Sequence, residues 1–102
     1  MAAGSSNNLS HASALTRITC FVHALTEDGR PLADTRFSVE QAEGPVPELM
    51  YVTDRTGIAR LGLPPGRVVL RFFPADGPAG TAEFSVGGEP GRTYEVRITR
   101  RR

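Results

Sequence analysis

The sequence predicts an all-β fold, a seven-stranded, two-sheet antiparallel β-sandwich. Three observations carry this. Apolar and polar residues alternate with a period of two from Arg17 almost to the end of the chain. Gly- and Pro-containing turn signals recur at roughly eight- to twelve-residue intervals, the spacing of a sandwich. No segment sustains a helical period. A length of 102 residues sets the scale at one domain.

The chain opens on MAAGSSNNLSHASALT, rich in Ser, Asn and Ala, which offers little apolar surface to offset the entropy of ordering it. Residues 1–16 are therefore expected to form a flexible arm. The arm has neither a basic leader region nor a sustained apolar run, so a cytoplasmic location is the default expectation, with export as part of an assembly left open.

The first strand is expected over Ile18 to Leu25. Ile18, Cys20, Val22 and Ala24 share its inner face, and Thr19, Phe21, His23 and Leu25 the other. The Asp28-Gly29 pair closes it with a positive-φ turn. Thr35 to Gln41 alternates cleanly as the second strand, with Phe37 and Val39 inward. Gly44-Pro45-Val46-Pro47 is a stiff loop unable to donate a full ladder of hydrogen bonds. A short third strand follows over Leu49 to Thr53.

Asp54-Arg55-Thr56-Gly57 turns the chain into a fourth strand, Ile58 to Leu63, with Ala59, Leu61 and Leu63 on one face. Pro64-Pro65-Gly66 forces a reversal, because Pro fixes φ and Gly accepts the left-handed region. The fifth strand, Arg67 to Phe73, points Val68, Leu70 and Phe72 inward. The sixth, Thr81 to Val86, does so with Ala82, Phe84 and Val86. The seventh, Thr93 to Thr99, offers Tyr94, Val96 and Ile98, which sets the sandwich at residues 17–99. Arg100, Arg101 and Arg102 are expected to form a basic tail.

Composition excludes several chemistries. All twelve basic residues are Arg, so lysine Schiff bases, P-loop lysines and Lys–Asn crosslinks are impossible. Cys20 is the single cysteine, which rules out an intrachain disulfide and a thiolate metal cluster and suits a small core residue. Glu27, Asp28, Asp34 and Asp54 fall in turns and read as solvated carboxylates, without the fixed ring of oxygens that Ca²⁺ needs. No cofactor and no small-molecule substrate is indicated. A net charge of +1 gives no general attraction to nucleic acid, and Tyr94 alone stands near the terminal arginines as a stacking platform, so nucleic acid is disfavoured as a partner. No stretch approaches the roughly 20 apolar residues of a membrane span.

Two stretches resemble a known family. Gly29-x-Pro31-Leu32-Ala33, and Thr53-Asp54-x-x-Gly57-x-Ala59-x-Leu61-x-Leu63-Pro64-Pro65-Gly66 followed by Val68-x-Leu70-x-Phe72, are similar to the carboxypeptidase regulatory-like domain. That family is a transthyretin-like (prealbumin-like) sandwich of Ig-like Greek-key type, and the resemblance covers about Arg17 to Thr99. Thr26 stands where the family usually has Asp. The resemblance implies a non-catalytic module that accompanies larger proteins, here expected to be a structural or protein-binding component of a larger bacterial assembly.

The alternative is the hydroxyisourate hydrolase branch of transthyretin-like proteins. Its first-strand histidine would fall at Val22, one place from His23, and that offset turns the side chain to the other face. Its closing Tyr-Arg-Gly-Ser is absent, as is a histidine after His23. If the second face of the first and fifth strands is exposed, Phe21, His23, Leu25, Val69 and Phe73 form the candidate surface for a protein partner or for self-association.

Overall fold

Alternating side chains can satisfy both their apolar and polar halves only as strands with one wet face, and the chain folds accordingly. The computed structural model describes residues 17–100. The expected arm and the terminal Arg101 and Arg102 lie outside the described residues. In chain order the strands are β1 (Ile18–Leu25), β2 (Arg36–Gln41), β3 (Tyr51–Val52), β4 (Ile58–Leu63), β5 (Gly66–Phe73), β6 (Gly80–Val86), β7 (Thr93–Arg97) and β8 (Thr99–Arg100).

They form two sheets, three strands in the order β4-β1-β7 and five in the order β3-β2-β5-β6-β8. The pairings are antiparallel except that β1 and β7 run parallel, with Val22 opposite Tyr94 and Ala24 opposite Val96. The core lies between the sheets. Cys20, Val22, Ala24, Ala59, Leu61, Leu63 and Val96 face it from one side, and Phe37, Val68, Leu70, Phe72, Ala82 and Val86 from the other. Phe37 stacks on Phe72 at 4.9 Å and on Tyr51 at 5.3 Å between ring centroids. Such offset aromatic pairs add to the stabilisation their burial already gives.

The expected seventh strand is in fact two. After β7 the chain turns at Ile98, which is buried and donates its N–H to the Leu25 carbonyl at 3.0 Å. It then joins the other sheet, so that Arg100 belongs to β8 opposite Gly80 and not to a tail. Both Val96 and Ile98 are buried, and a period of two cannot reveal that the chain changes sheets at Ile98.

The reversal at Pro64-Pro65-Gly66 also changes sheets, and Gly66 takes φ +115° there with the Glu43 side chain packed against it. Any Cβ at Gly66 would collide with that side chain.

Candidate functional site, an open apolar edge

Thr53 and Asp54 act on the fold. The buried Thr53 hydroxyl accepts from the Thr35 N–H at 2.9 Å and donates to the Leu32 carbonyl at 2.6 Å, while its own N–H bonds the Thr35 carbonyl. One Asp54 carboxylate oxygen accepts from the Thr56 N–H, the Thr56 hydroxyl and the Ile58 N–H, at 2.7–3.0 Å. These bonds, led by the Thr56 hydroxyl, hold the Asp54 carboxyl below the usual aspartate range. Gly57 closes the turn at φ +83°, where a Cβ would stand 2.7 Å from the Ala24 carbonyl oxygen. The motif that carries the family resemblance thus knots the 32–35 loop to the 53–58 turn. In the first turn Thr26 takes a similar part, its hydroxyl accepting from the Arg30 N–H at 3.0 Å.

The five residues of the expected partner surface do not meet. Phe21 and His23 lie on the outer face of the three-stranded sheet, half-buried, among Ile58, Arg60 and Glu95. His23 Nδ1 is 4.0 Å from Glu95 Oε2. Leu25 is buried, closed over where Ile98 docks and where Pro31 bridges to it. Val69 and Phe73 lie on the outer face of the five-stranded sheet, across the core from Phe21. Val69 there is half-buried in a shallow depression whose charges are matched, Arg67 with Glu83 and Arg71 with Glu40. Phe73 is exposed, with the Arg71 guanidinium 5.8 Å from its ring centroid. Among the described residues no group of three or more His, Cys, Asp or Glu is placed to hold a metal ion, and no helix is long and apolar enough to cross a membrane.

Phe73 belongs to a different gathering. Among the described residues the large apolar side chains that stay exposed are Leu49, Met50 and Val52, each 55% exposed, and Phe73, 40% exposed. Val52 and Phe73 flank Arg36 in one row of the outer face, and Leu49 and Met50 lead into Val52. All four therefore collect at the β3 corner of the five-stranded sheet. Three of them lie outside the residues that sequence pattern selected. Their signal was present in the apolar run Leu49-Met50-Tyr51-Val52, beside a proline-rich loop that cannot pair.

The same loop explains the geometry. The Leu49 N–H bonds the Pro47 carbonyl at 3.0 Å, a three-residue turn that takes the backbone out of strand phase. The expected third strand, Leu49 to Thr53, therefore shrinks to Tyr51–Val52. On its other side β2 shifts register against β5 between Val39 and Gln41, a β-bulge that bends the strand. Between β2 and the loop runs an open groove of about 450 Å³, lined by Ser38, Val39, Val46, Pro47, Glu48, Leu49 and Met50.

Backbone polarity at this corner follows from the ladder. Because the Thr53 N–H points at Thr35, alternation turns the N–H and C=O of Val52 outward, away from β2. The β4 edge of the other sheet differs in having Arg60 as its exposed side chain, with Ile58 and Gly62 partly covered. A charge on an edge discourages pairing.

Neither a family model nor a curated protein sequence matches the chain. Among solved structures, a DUF3823 family protein from Parabacteroides merdae is similar in fold, with a TM-score of 0.57 at 10% sequence identity. The match takes in 83% of this chain and 47% of that one, so the sandwich spans about half the length of its structural neighbour. At this identity the likeness extends to the two-sheet β-sandwich architecture.

Proposed function

We propose that this chain is a non-enzymatic protein-binding module that takes up an extended segment of a partner at its β3 edge. The observation that carries the reading is the convergence of Leu49, Met50, Val52 and Phe73 on one short edge strand whose outward backbone groups are free of the sheet. Strand addition uses those two elements together, main-chain hydrogen bonds for affinity and apolar neighbours for grip.

The finer assignment, a transthyretin-like sandwich of the carboxypeptidase regulatory-like kind serving a larger bacterial assembly, draws support from the motif at Thr53 to Gly66. It also draws support from a bacterial neighbour in which a similar sandwich is one part of a longer chain.

Panning a random-peptide display library against the full chain tests the reading. Extended sequences rich in β-branched residues are expected, and Val52→Pro should abolish their binding. That substitution removes an outward N–H and an exposed side chain, neither of which serves the sheet, so the melting temperature should hardly move. Binders indifferent to Val52→Pro would overturn strand addition. Turnover of hydroxyisourate that disappears in His23→Ala would overturn the non-enzymatic assignment.

A further inference from the structure

We infer that the segment taken up at the β3 edge is acidic, presenting a carboxylate to Arg36 between apolar neighbours; this rests on the strand-addition reading above. The outer face of the five-stranded sheet carries three arginines. Arg67 and Arg71 are held by Glu83 and Glu40 on neighbouring strands. Among the described residues no carboxylate lies within 4.0 Å of the Arg36 guanidinium. Yet Arg36 occupies the most apolar row of that face, with Val52 on one side and Phe73 on the other.

An exposed cation flanked by exposed hydrophobics is half of a mixed recognition surface. A strand added beside β3 would place its nearest row member about 4.8 Å from Val52 and about twice that from Arg36. A Glu side chain and an extended Arg span that gap across the short Val52.

The site also sets a length. Pro47 and the three-residue turn at Leu49 close one end of the edge, and the Asp54 turn closes the other. Roughly five residues of partner fit between them by the rise of an extended strand. The recognition element is thus a short motif of the form apolar–x–acidic–x–apolar, in which the three named positions share one face.

Two capped pentapeptides test this with the full chain, Val-Thr-Glu-Thr-Val and Val-Thr-Lys-Thr-Val, titrated while backbone amides are followed by NMR. The Glu peptide is expected to shift the Val52 amide and its neighbours and to bind about fivefold tighter than the Lys peptide. Arg36→Glu, an exposed substitution, should reverse that preference while the thermal midpoint stays put. Equal binding of both peptides at the edge would overturn the acidic inference and leave strand addition standing. Shifts confined to β4, or no shift at millimolar peptide, would overturn both. Concentration-dependent shifts at Val52 without peptide would make a second copy the occupant and overturn the acidic motif.

Discussion

Within seven residues the chain passes from an edge of exposed apolar side chains to a tightly bonded turn. At Leu49 and Met50 apolar side chains stand in solvent beside a groove; at Thr53 and Asp54 two short polar side chains gather five backbone groups and one hydroxyl. The contrast shows how a small sandwich keeps an edge available. Rigidity after β3 fixes where the strand ends, so the residues before it can remain unpaired without loosening the sheet. Stability and, on the strand-addition reading, binding thereby fall to adjacent residues, and substitutions should separate them.

The largest effect is expected at Gly57. Alanine there must adopt φ +83° and would place its Cβ 2.7 Å from the Ala24 carbonyl. Together these should cost about 3 kcal/mol or more and lower the melting temperature by about 10 °C or more. A melt unchanged by Gly57→Ala would mean that the knot does not organise the fold.

Thr53→Val keeps shape and removes the hydroxyl, leaving the Thr35 N–H and the Leu32 carbonyl without that partner. A loss of about 2 kcal/mol is expected in denaturant titration.

Acid should expose the same knot. The Asp54 carboxyl titrates below its unfolded value, so its stabilisation is complete above the ordinary aspartate range. It is lost as pH falls through the folded pKa, below about pH 4. Asp28, held down by the Thr26 hydroxyl and then Arg30, works in the same direction. Melting curves of Asp54→Asn should therefore fall less steeply in acid than those of the parent, without becoming flat. Least affected of all should be a Leu49→Ser/Met50→Ser variant, within about 0.5 kcal/mol of the parent. A large loss there would show that the open edge is part of the core after all.

The sequence made the strands and their inner faces legible because alternation is a local property. Cys20, Val22, Ala24, Ala59, Leu61, Leu63, Val68, Leu70 and Phe72 are all buried where the period of two puts them. It left unresolved which sheet each strand joins, since that depends on pairings between distant segments. Phe21 and Phe73 consequently looked alike as second-face aromatics and lie on opposite sides of the molecule. Leu25 was misplaced because its cover arrives from Ile98 and Pro31, far away or beyond the turn. At the β3 corner the local signal was misleading: Leu49 and Met50 have strand-like neighbours, but Pro47 and its turn take the backbone out of register before pairing can begin.

Cys20 sits on the middle strand of its sheet, fully enclosed, and its burial pushes the thiol pKa up. Only separation of the two layers can present that sulfur to an alkylating reagent. The chain therefore carries its own stopwatch for global opening: thiol modification should be slow in the intact molecule, hasten as denaturant is raised, and slow again when a ligand that prefers the folded chain occupies the far edge.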